Sequence, residues 1–596
     1  MNSDHFAALA LTFFIYGLLA TAYFGWGKAT GYLLGLQTGE RCPPTYFIWI
    51  GWASTLLIFQ MIHFFLPLTA FAVVPVFMVG AVFGLCQLFI STRSYLNQGS
   101  ILMPLIVLAI IGMLIAGWVA SRSMLPPANS DSGLYHFNKI RWINSFPVVP
   151  GLGNLHGRLA FNQSFFAYVA ALNFHPFFGH GRSIANSFLF LLTLATFTES
   201  LHPVFKRPSL LIDSHPFRYI SIVILLPTLG YLALNAYWLS GFSSPTPDFA
   251  STLLQLTIVI ALAQGLGEWD SGATKQNARA VLLGMLATAA VTVKLSNLAF
   301  SAAIFALLAF YATMPHARGA VVRLAALSAI TILVWCAQGF ILSGAPLYPS
   351  AIGYRPFEWA VPLELVISEA NWVYSWARKP NVLWSEVLGN WTWFKPWVTQ
   401  SQVKDWVILP LAISVIMCIL ACALTRFKNA HRLRWSDWAI LFPLVIGIAY
   451  WFWTAPDLRF ANALFFAIPM CSALLLVLSV QSLVSRRTLL IIICVVFGVV
   501  NVPIARYFVT KSWSWSITGI SLTGWQPVPS VPMTRRVTSS GLTVYTPVSG
   551  HVCWDSPLPA TPFVNGQLRL IDPHSLSSGF SVRPAESTVT AARHTP

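Results

Sequence analysis

Residues 45–65 read TYFIWIGWASTLLIFQMIHFF and contain no Lys, Arg, Asp or Glu. A helix needs roughly 20 apolar residues to cross a hydrocarbon core of about 30 Å, so this stretch has the length and composition of a membrane span. Runs of this kind recur as far as residue 506, and we recognise about 13–14 of them by their length. The sequence therefore predicts an all-α polytopic membrane protein.

The overall composition agrees with this prediction. Of the 596 residues, 56% are hydrophobic and only 9% are charged, whereas soluble domains carry about 25% charged residues. A soluble enzyme is therefore excluded. No clustered basic module, no G-x-G-x-x-G turn between a strand and a helix and no Walker lysine motif occurs. We therefore expect no nucleic-acid partner and no nucleotide site, and we expect membrane lipids as partners.

The net charge of +17 comes from 35 Lys and Arg residues against 18 Asp and Glu residues. Short loops rich in Lys and Arg usually face the cytoplasm, and four basic segments fit that side: 206–218, 318–323, 426–434 and 486–487. This assignment predicts four external regions: 121–182, 240–250, 342–405 and 454–461. We therefore expect these external loops to face away from the cytoplasm.

The chain divides into parts of different composition. Within them, the apolar stretch 164–178 is predicted as a juxtamembrane or re-entrant helix packed against protein. The pair 279–293 and 297–313, interrupted at Lys294, is either a tight hairpin or one kinked span. The predicted parts are N-terminal transmembrane helices (1–120), an external loop of catalytic type with juxtamembrane helices (121–182), a transmembrane core (183–506) with a Trp-rich external loop (342–405), a small β-rich C-terminal cap outside the membrane (507–583) and a disordered tail (584–596).

The densest group of polar residues lies in the first external region. Residues 131–164 read DSGLYHFNKIRWINSFPVVPGLGNLHGRLAFNQS. Residues 134–145 have helical spacing, with apolar positions on one face, which predicts a helix along the membrane surface. The segment is either a solvated connection with interfacial aromatic residues or a functional loop, and its composition alone leaves both interpretations open.

Charged residues inside spans are rare, and they indicate function in membrane proteins. No acidic residue lies in the middle of a predicted span, and Lys294 is the one cation placed firmly at membrane depth. Ion-coupled transporters usually carry intramembrane carboxylates or paired discontinuous helices. A transporter or flippase of a lipid-linked glycan or another amphiphile is therefore less favoured, but it stays as the alternative.

Several segments together resemble a family. The Asp131 loop resembles that of bacterial polytopic membrane proteins related to the glycosyltransferase-C (GT-C) superfamily, and later segments are similar to motifs of the same group. Those segments are VKLSN (293–297), PLYPS (346–350), APDLRFA (455–461) and GLTVYTPVSGHVCWDSPLPATPFVN (541–565). The resemblance covers nearly the whole chain from Asp131 onward, and the Asp131 loop and APDLRFA are its most specific parts.

This resemblance implies a GT-C-like fold and a transferase that moves a hexose or pentose from a polyprenyl-phosphate donor to a cell-envelope glycan, lipid or protein acceptor on the external face. In such enzymes a carboxylate in the first large external loop acts as general base, and Asp131 matches that position. A fixed cation would stabilise the departing phosphate. We expect Arg459 in this role, with Lys294 and Arg158 as further candidates.

Three more residues complete the predicted substrate-binding set: Tyr135, His136 and Asn154. No cofactor is expected. A divalent metal is not expected either, because Asp131 is the only acid between Glu40 and Glu199. Four other carboxylates could still join the site in three dimensions: Glu358, Glu364, Glu369 and Asp457. The histidines at 136, 156, 175 and 180 match no zinc-site spacing, so local hydrogen bonding is the favoured interpretation.

Overall fold

The computed structural model describes residues 3–36, 42–95, 102–206, 227–265, 274–427, 430–461, 463–510 and 519–582. Three predictions fall wholly or partly outside the described residues: the basic segment 206–218 beyond Lys206, the first part of residues 219–238, which is one of the apolar runs counted as spans, and the tail from 584.

Helices make up most of the described chain. Those of eight or more residues are Ser3–Leu33, Pro44–His63, Ala70–Tyr95, Leu102–Ser123, Phe137–Ser145, Ser164–Ala171, Gly181–Lys206, Ala236–Ser243, Pro247–Gly265, Thr274–Val293, Leu298–Tyr311, Pro315–Ser343, Leu363–Arg378, Leu409–Leu424, Phe442–Thr454, Leu464–Val480, Arg486–Val500 and Val502–Thr510. Shorter α-helices are Trp384–Val387, Phe394–Thr399, Ser401–Val403, Trp435–Trp438 and Leu458–Ala461.

Within the described residues, eight helices are long and apolar enough to cross a membrane. The number becomes nine if Arg487–Val500 and Val502–Val509, which meet at an angle of 54°, form one bent span. Three shorter apolar helices accompany them: Ala109–Ser123, Leu295–Tyr311 and Leu464–Val480. The prediction of a multi-pass, mostly helical membrane protein is confirmed.

The spans form an inner and an outer group. In the most apolar stretches of helices Pro247–Gly265 and Gln276–Val293, 94% of the residues are buried, compared with 33% in Ala70–Ile90 and Pro315–Ser343. A helix that is apolar all round fits either the interior of a bundle or lipid. Here the two most buried helices form the centre of the bundle.

The ambiguous pair around Lys294 is a hairpin. Helices Thr274–Val293 and Leu298–Tyr311 run antiparallel, because the hydroxyl of Tyr311 donates to Gln276 (3.3 Å) and to Asn277 (3.2 Å) at the far end of the first helix. Lys294 and a short 3₁₀ turn, Leu295–Asn297, connect the two helices. Lys294 therefore lies at one end of the bundle.

The polar segment after Asp131 is folded under protein. It begins with a π-helical turn, Ser132–His136, and continues through the helix Phe137–Ser145. Two 3₁₀ turns then lead into the helix Ser164–Ala171, all of whose residues are buried. The helix after the π-helical turn, expected along the membrane surface, buries Asn138 and Lys139 together with its apolar residues, so protein covers it on several sides.

The C-terminal region contains a small amount of β-structure, as predicted. Strands β1 (Met533–Val537) and β2 (Thr543–Pro547) form an antiparallel hairpin, and β3 (Arg569–Leu570) pairs with β4 (Phe580–Ser581). This region is joined to the polar segment through main-chain hydrogen bonds. The amides of Cys553 and Trp554 both donate to the carbonyl of Gly133, at 2.9 and 2.8 Å.

Candidate functional site

Asp131 binds two arginines from distant parts of the chain. Its Oδ1 lies 3.1 Å from Nη1 of Arg158, and its Oδ2 lies 3.1 Å from Nη1 of Arg459. The three side chains are 22%, 24% and 30% exposed, respectively. Charge-assisted hydrogen bonds of this kind are stronger than neutral ones. They therefore hold an ordered anion between two cations at a point that solvent still reaches.

Two further carboxylates extend this arrangement at both ends. Oε1 of Glu369 lies 3.7 Å from Nε of Arg158, and Oδ2 of Asp457 lies 3.6 Å from Nε of Arg459. Each guanidinium therefore stands between two acids. We call the five residues Glu369, Arg158, Asp131, Arg459 and Asp457 the arginine–carboxylate cluster.

A buried ion pair lies behind the cluster. Nζ of Lys294 is 2.5 Å from Oδ1 of Asp248, at the start of the helix Pro247–Gly265. The ring of Phe460 contacts both this pair and the cluster, with Lys294 Nζ 4.5 Å and Arg459 Cζ 4.7 Å from its centroid. Cation–π contacts of this type are attractive for each of the two cations.

The two carboxylates that contact Arg158 have pKa shifts of opposite direction. Burial by itself would raise the pKa of Asp131, but nearby cations, Arg459 most strongly, lower it below its usual range. Burial raises the pKa of Glu369, and Arg158 offsets only part of that effect. Of these two carboxylates, Asp131 therefore stays ionised more readily, and Glu369 retains a proton more readily.

Tyr135 and His136 lie beside the cluster. The centroid of the Tyr135 ring is 5.9 Å from Cζ of Arg158, and the His136 ring packs edge-on against Tyr135 at 4.4 Å. Nδ1 of His136 is 2.9 Å from the hydroxyl of Ser132. Burial lowers the pKa of His136 to about 4, so this imidazole is neutral at pH 7.

Asn154 has a different environment from the other predicted site residues. Its amide nitrogen donates to the carbonyls of Trp359 (2.8 Å) and Phe580 (3.1 Å). It thus joins the polar segment to the C-terminal region. The structure brings Asp131, Arg158 and Arg459 into direct contact and places Tyr135, His136 and Lys294 around them, but it gives Asn154 no contact with this group.

Two tryptophans fix the turn that carries Arg459, one from the Trp-rich external region and one from the helix Phe442–Thr454. The indole of Trp397 donates to the carbonyl of Pro456 (3.0 Å), and the indole of Trp451 donates to that of Asp457 (2.7 Å). Oδ1 of Asp457 also accepts from the amide of Arg459 at 3.0 Å. Hydrogen bonds therefore fix the turn formed by the motif APDLRFA, and the turn directs the guanidinium of Arg459 toward Asp131.

Of the four carboxylates considered as additional members, two join the cluster: Glu369 and Asp457. Glu358 instead lies 3.4 Å from Arg569 of the C-terminal region, and Glu364 is exposed. Sequence reasoning missed Asp248. Its position in the first turn of an apolar helix, within an external region, was the signal that could have identified it.

Within the described ranges, no group of three or more His, Cys, Asp or Glu side chains is arranged to hold a metal ion. The histidines considered for zinc have other neighbours. The His156 ring stacks on Phe563 at 6.5 Å, and the His180 ring stacks on Trp525 at 4.8 Å. In the cluster itself, the positive charges that face the carboxylates are guanidinium groups.

Comparison with curated proteins and with solved structures found no match in either set. One protein family, described as "Domain of unknown function (DUF8201)", matches residues 9–467. The matched part contains the whole arginine–carboxylate cluster together with Lys294 and Asp248. Because this match covers most of its length, the chain belongs to the DUF8201 family.

Proposed function

We propose that this protein is an integral-membrane glycosyltransferase that moves a sugar from a polyprenyl-phosphate-linked donor to a cell-envelope acceptor. The observation that carries the proposal is the convergence of Arg158 and Arg459 on Asp131, at 3.1 Å each. Two guanidinium groups that point at one carboxylate also suit a phosphate, because the planar fork of arginine matches both anions.

The ion pairs suggest how donor binding activates Asp131. An incoming phosphate competes for the arginines and draws their charge away from the carboxylate. The pKa of Asp131 then rises toward its usual range, and the carboxylate becomes a better general base. An acceptor hydroxyl needs such help, since its own proton is held tightly. Arg459 and Arg158 at the same time stabilise the charge that develops on the leaving phosphate.

The positions of the cluster residues support an external site. Asp131 and Arg158 come from the predicted external region 121–182, and Glu369 and Arg459 come from two other regions predicted on that side. The family resemblance adds a GT-C-like fold in a bacterial inner membrane, with the active loops facing the periplasm or the exterior. It implies an undecaprenyl-phosphate-like donor.

The test uses the purified full-length protein in lipid vesicles. The donors are undecaprenyl phosphates that carry glucose, galactose, mannose or arabinose, and the acceptors are envelope extracts from cells that lack the protein. We expect sugar transfer from at least one donor, and the product should match a surface glycan missing from those cells. Movement of a donor across the vesicle membrane with no transfer of its sugar would contradict the proposal and support the transporter alternative.

Arg459→Ala tests the role of the cation. Because this change removes a charge-assisted contact to the phosphate, we expect binding of undecaprenyl phosphate to weaken about 10- to 100-fold, with a smaller effect on thermal stability. The matched control is Arg569→Ala, since Arg569 pairs with Glu358 outside the cluster. If Arg459→Ala binds undecaprenyl phosphate as tightly as the wild-type protein, the cation that binds the phosphate would be Lys294 or Arg158 instead.

A further inference from the structure

Glu369 is the carboxyl group of the cluster with the fewest partners. It lies on the external helix Leu363–Arg378, and its side chain is 21% exposed. Oε1 is shielded from solvent and accepts no hydrogen bond within the described part of the chain, although Nε of Arg158 is 3.7 Å away. A carboxylate buried in this way is costly, whereas the protonated acid is much less so.

The loop that faces Glu369 has a glycine, Gly157, where it approaches the carboxyl group. A Cβ atom at Gly157 would lie 3.1 Å from Oε2 of Glu369 and 3.0 Å from the hydroxyl of Tyr348. Any side chain at 157 would therefore press on both groups. Among the described residues, Arg158 and Tyr348 are the charged and titratable groups that face Glu369.

Glu369 and Asp131 contact different nitrogens of the same guanidinium. Asp131 binds Nη1 of Arg158, and Glu369 faces Nε. A donor phosphate that replaces Asp131 on Arg158 would thus arrive next to Glu369. Asp131 would then be available to the acceptor hydroxyl, and Glu369 would lie next to the leaving phosphate.

We propose that Glu369 is the general acid of the sugar transfer and gives its proton to the phosphate oxygen that leaves the sugar. This inference rests on the proposed function. The acceptor O–H bond breaks and its proton passes to Asp131, while the acceptor oxygen forms the new bond to the anomeric carbon. The bond from that carbon to the phosphate oxygen breaks, its electron pair stays on the oxygen, and Glu369 protonates this phosphate. Water then returns the proton from Asp131 to Glu369.

General chemistry favours this division of roles. A phosphate monoester has a second pKa of about 6, so the leaving group accepts a proton near neutral pH. Two carboxyl groups whose surroundings shift their pKa values in opposite directions commonly divide into an ionised base and a protonated acid. The raised pKa of Glu369 and the lowered pKa of Asp131 fit that division.

The kinetic test compares Glu369→Gln with the control Glu364→Gln, an exposed position on the same helix. Transfer by the wild-type protein should fall at high pH as Glu369 loses its proton. In Glu369→Gln we expect kcat to fall about 100-fold, the high-pH decline to disappear and the affinity for undecaprenyl phosphate to stay the same. Glu369→Asp, which keeps the acid but retracts it, should retain that decline. A wild-type rate or pH profile in Glu369→Gln would overturn the inference.

A second measurement separates failure of this inference from failure of the proposed function. Infrared spectra of the wild-type protein at pH 7 should show the C=O band of a protonated carboxyl group. This band should be absent from Glu369→Gln and present in Glu364→Gln. Absence of this band would overturn the general-acid role even if the protein transfers sugar. If the band is present but the wild-type protein transfers no sugar from any donor, the proposed function fails, and with it the role of Glu369.

Discussion

Asp131 has more than one task in this arrangement. The family resemblance implies that it acts as a general base. The structure adds that the same carboxylate links Arg158 to Arg459. Its replacement should therefore affect the position of the two guanidinium groups as well as the proposed proton transfer.

Asp131→Asn should abolish sugar transfer and also lower stability. The amide cannot accept the proton, has no negative charge and offers an acceptor oxygen to only one of the two arginines, which we expect to reduce the free energy of unfolding at pH 7 by about 1–3 kcal/mol. Because the pKa of Asp131 is lowered in the folded protein, its stabilising contribution is present at neutral pH and disappears as pH falls through that lowered value. Thermal unfolding of wild type and variant should therefore converge in acid.

The control for this variant is Asp555→Asn, because Asp555 pairs with Arg141 at an exposed position, 3.1 Å apart. That ion pair should contribute less than about 1 kcal/mol. Normal transfer by Asp131→Asn would reject the general-base role, and an equal stability gap at acidic and neutral pH would reject the ionic origin of the stabilisation.

At the scale of elements, the Trp-rich region links two parts of the site. Its tryptophans suggest either an interfacial belt or sugar stacking, and the belt is the favoured interpretation from sequence. The structure shows a structural task for some of them: Trp393 and Trp397 pack against Phe452. Trp372 and Trp384 are exposed, which suits an interface with lipid headgroups.

Arg378 connects the helix of Glu369 to the turn of Arg459. Its guanidinium donates to the carbonyls of Thr454 (2.8 Å) and Trp453 (2.9 Å), at the end of the helix Phe442–Thr454. A cation at a helix C-terminus is favourable. Arg378→Ala should lower the free energy of unfolding by about 1–3 kcal/mol and reduce transfer, as measured by thermal unfolding and initial rates.

The neighbouring Lys379→Ala serves as control for Arg378→Ala, because Lys379 is exposed. Arg378→Lys should recover only part of the loss, since an ammonium group cannot bind two carbonyls in the planar geometry of a guanidinium. If Arg378→Ala and Lys379→Ala have the same thermal stability and the same initial rates, the contacts of Arg378 contribute to neither stability nor transfer.

Close contact between the first and third helices depends on glycine. The sequence pair Gly80 and Gly84 predicts helix packing, and a Cβ at Gly80 would lie 2.6 Å from the carbonyl of Ala22. A Cβ at Gly84 would overlap the carbonyl of Thr21. Gly84→Leu should therefore force the helices apart and destabilise the protein by about 1–3 kcal/mol or more.

Thermal unfolding in detergent measures this effect, with Gly112→Leu as the matched control. Gly112 lies on the helix Leu102–Ser123, and a Cβ there meets no atom within 4 Å. A Gly84→Leu protein as stable as Gly112→Leu would show that the two helices do not pack as closely as described.

At the scale of the whole molecule, the C-terminal region completes the support of the site. Besides the contacts at Gly133, the amide of Phe580 donates to the carbonyl of Pro150 at 2.9 Å, and Asn154 binds the carbonyl of Phe580. The polar segment is therefore held between the helix bundle and a part of the chain more than 400 residues away in sequence.

Removal of the chain from Met533 onward should loosen this segment. The carbonyls of Gly133 and Pro150 would lose their partners, so we expect transfer to be lost and residues 131–163 to become sensitive to limited proteolysis. Donor binding should weaken as Arg158 loses its fixed position. A truncated protein with normal activity and normal protease resistance would show that the bundle alone orders the segment.

The amino-acid sequence was sufficient to predict the membrane class, the small C-terminal β region and the position of the polar segment after Asp131. These features follow from local composition: a span is a run of apolar residues, and a polar segment between spans stands out wherever the chain folds. The resemblance to a transferase family also rests on short local motifs, and it stays a proposal together with the site roles that it implies.

Which charged side chains pair with each other depends on the three-dimensional packing of the chain. Arg459 is 328 positions from Asp131, Glu369 approaches through a separate external helix, and Asp248 pairs with Lys294 across two neighbouring spans. The sequence likewise allowed either a hairpin or one kinked span at Lys294, and the contacts between the two helix ends identify the hairpin. An ion pair has no local signature, because its energy depends on distance and burial, and both are set by packing between segments far apart in the chain.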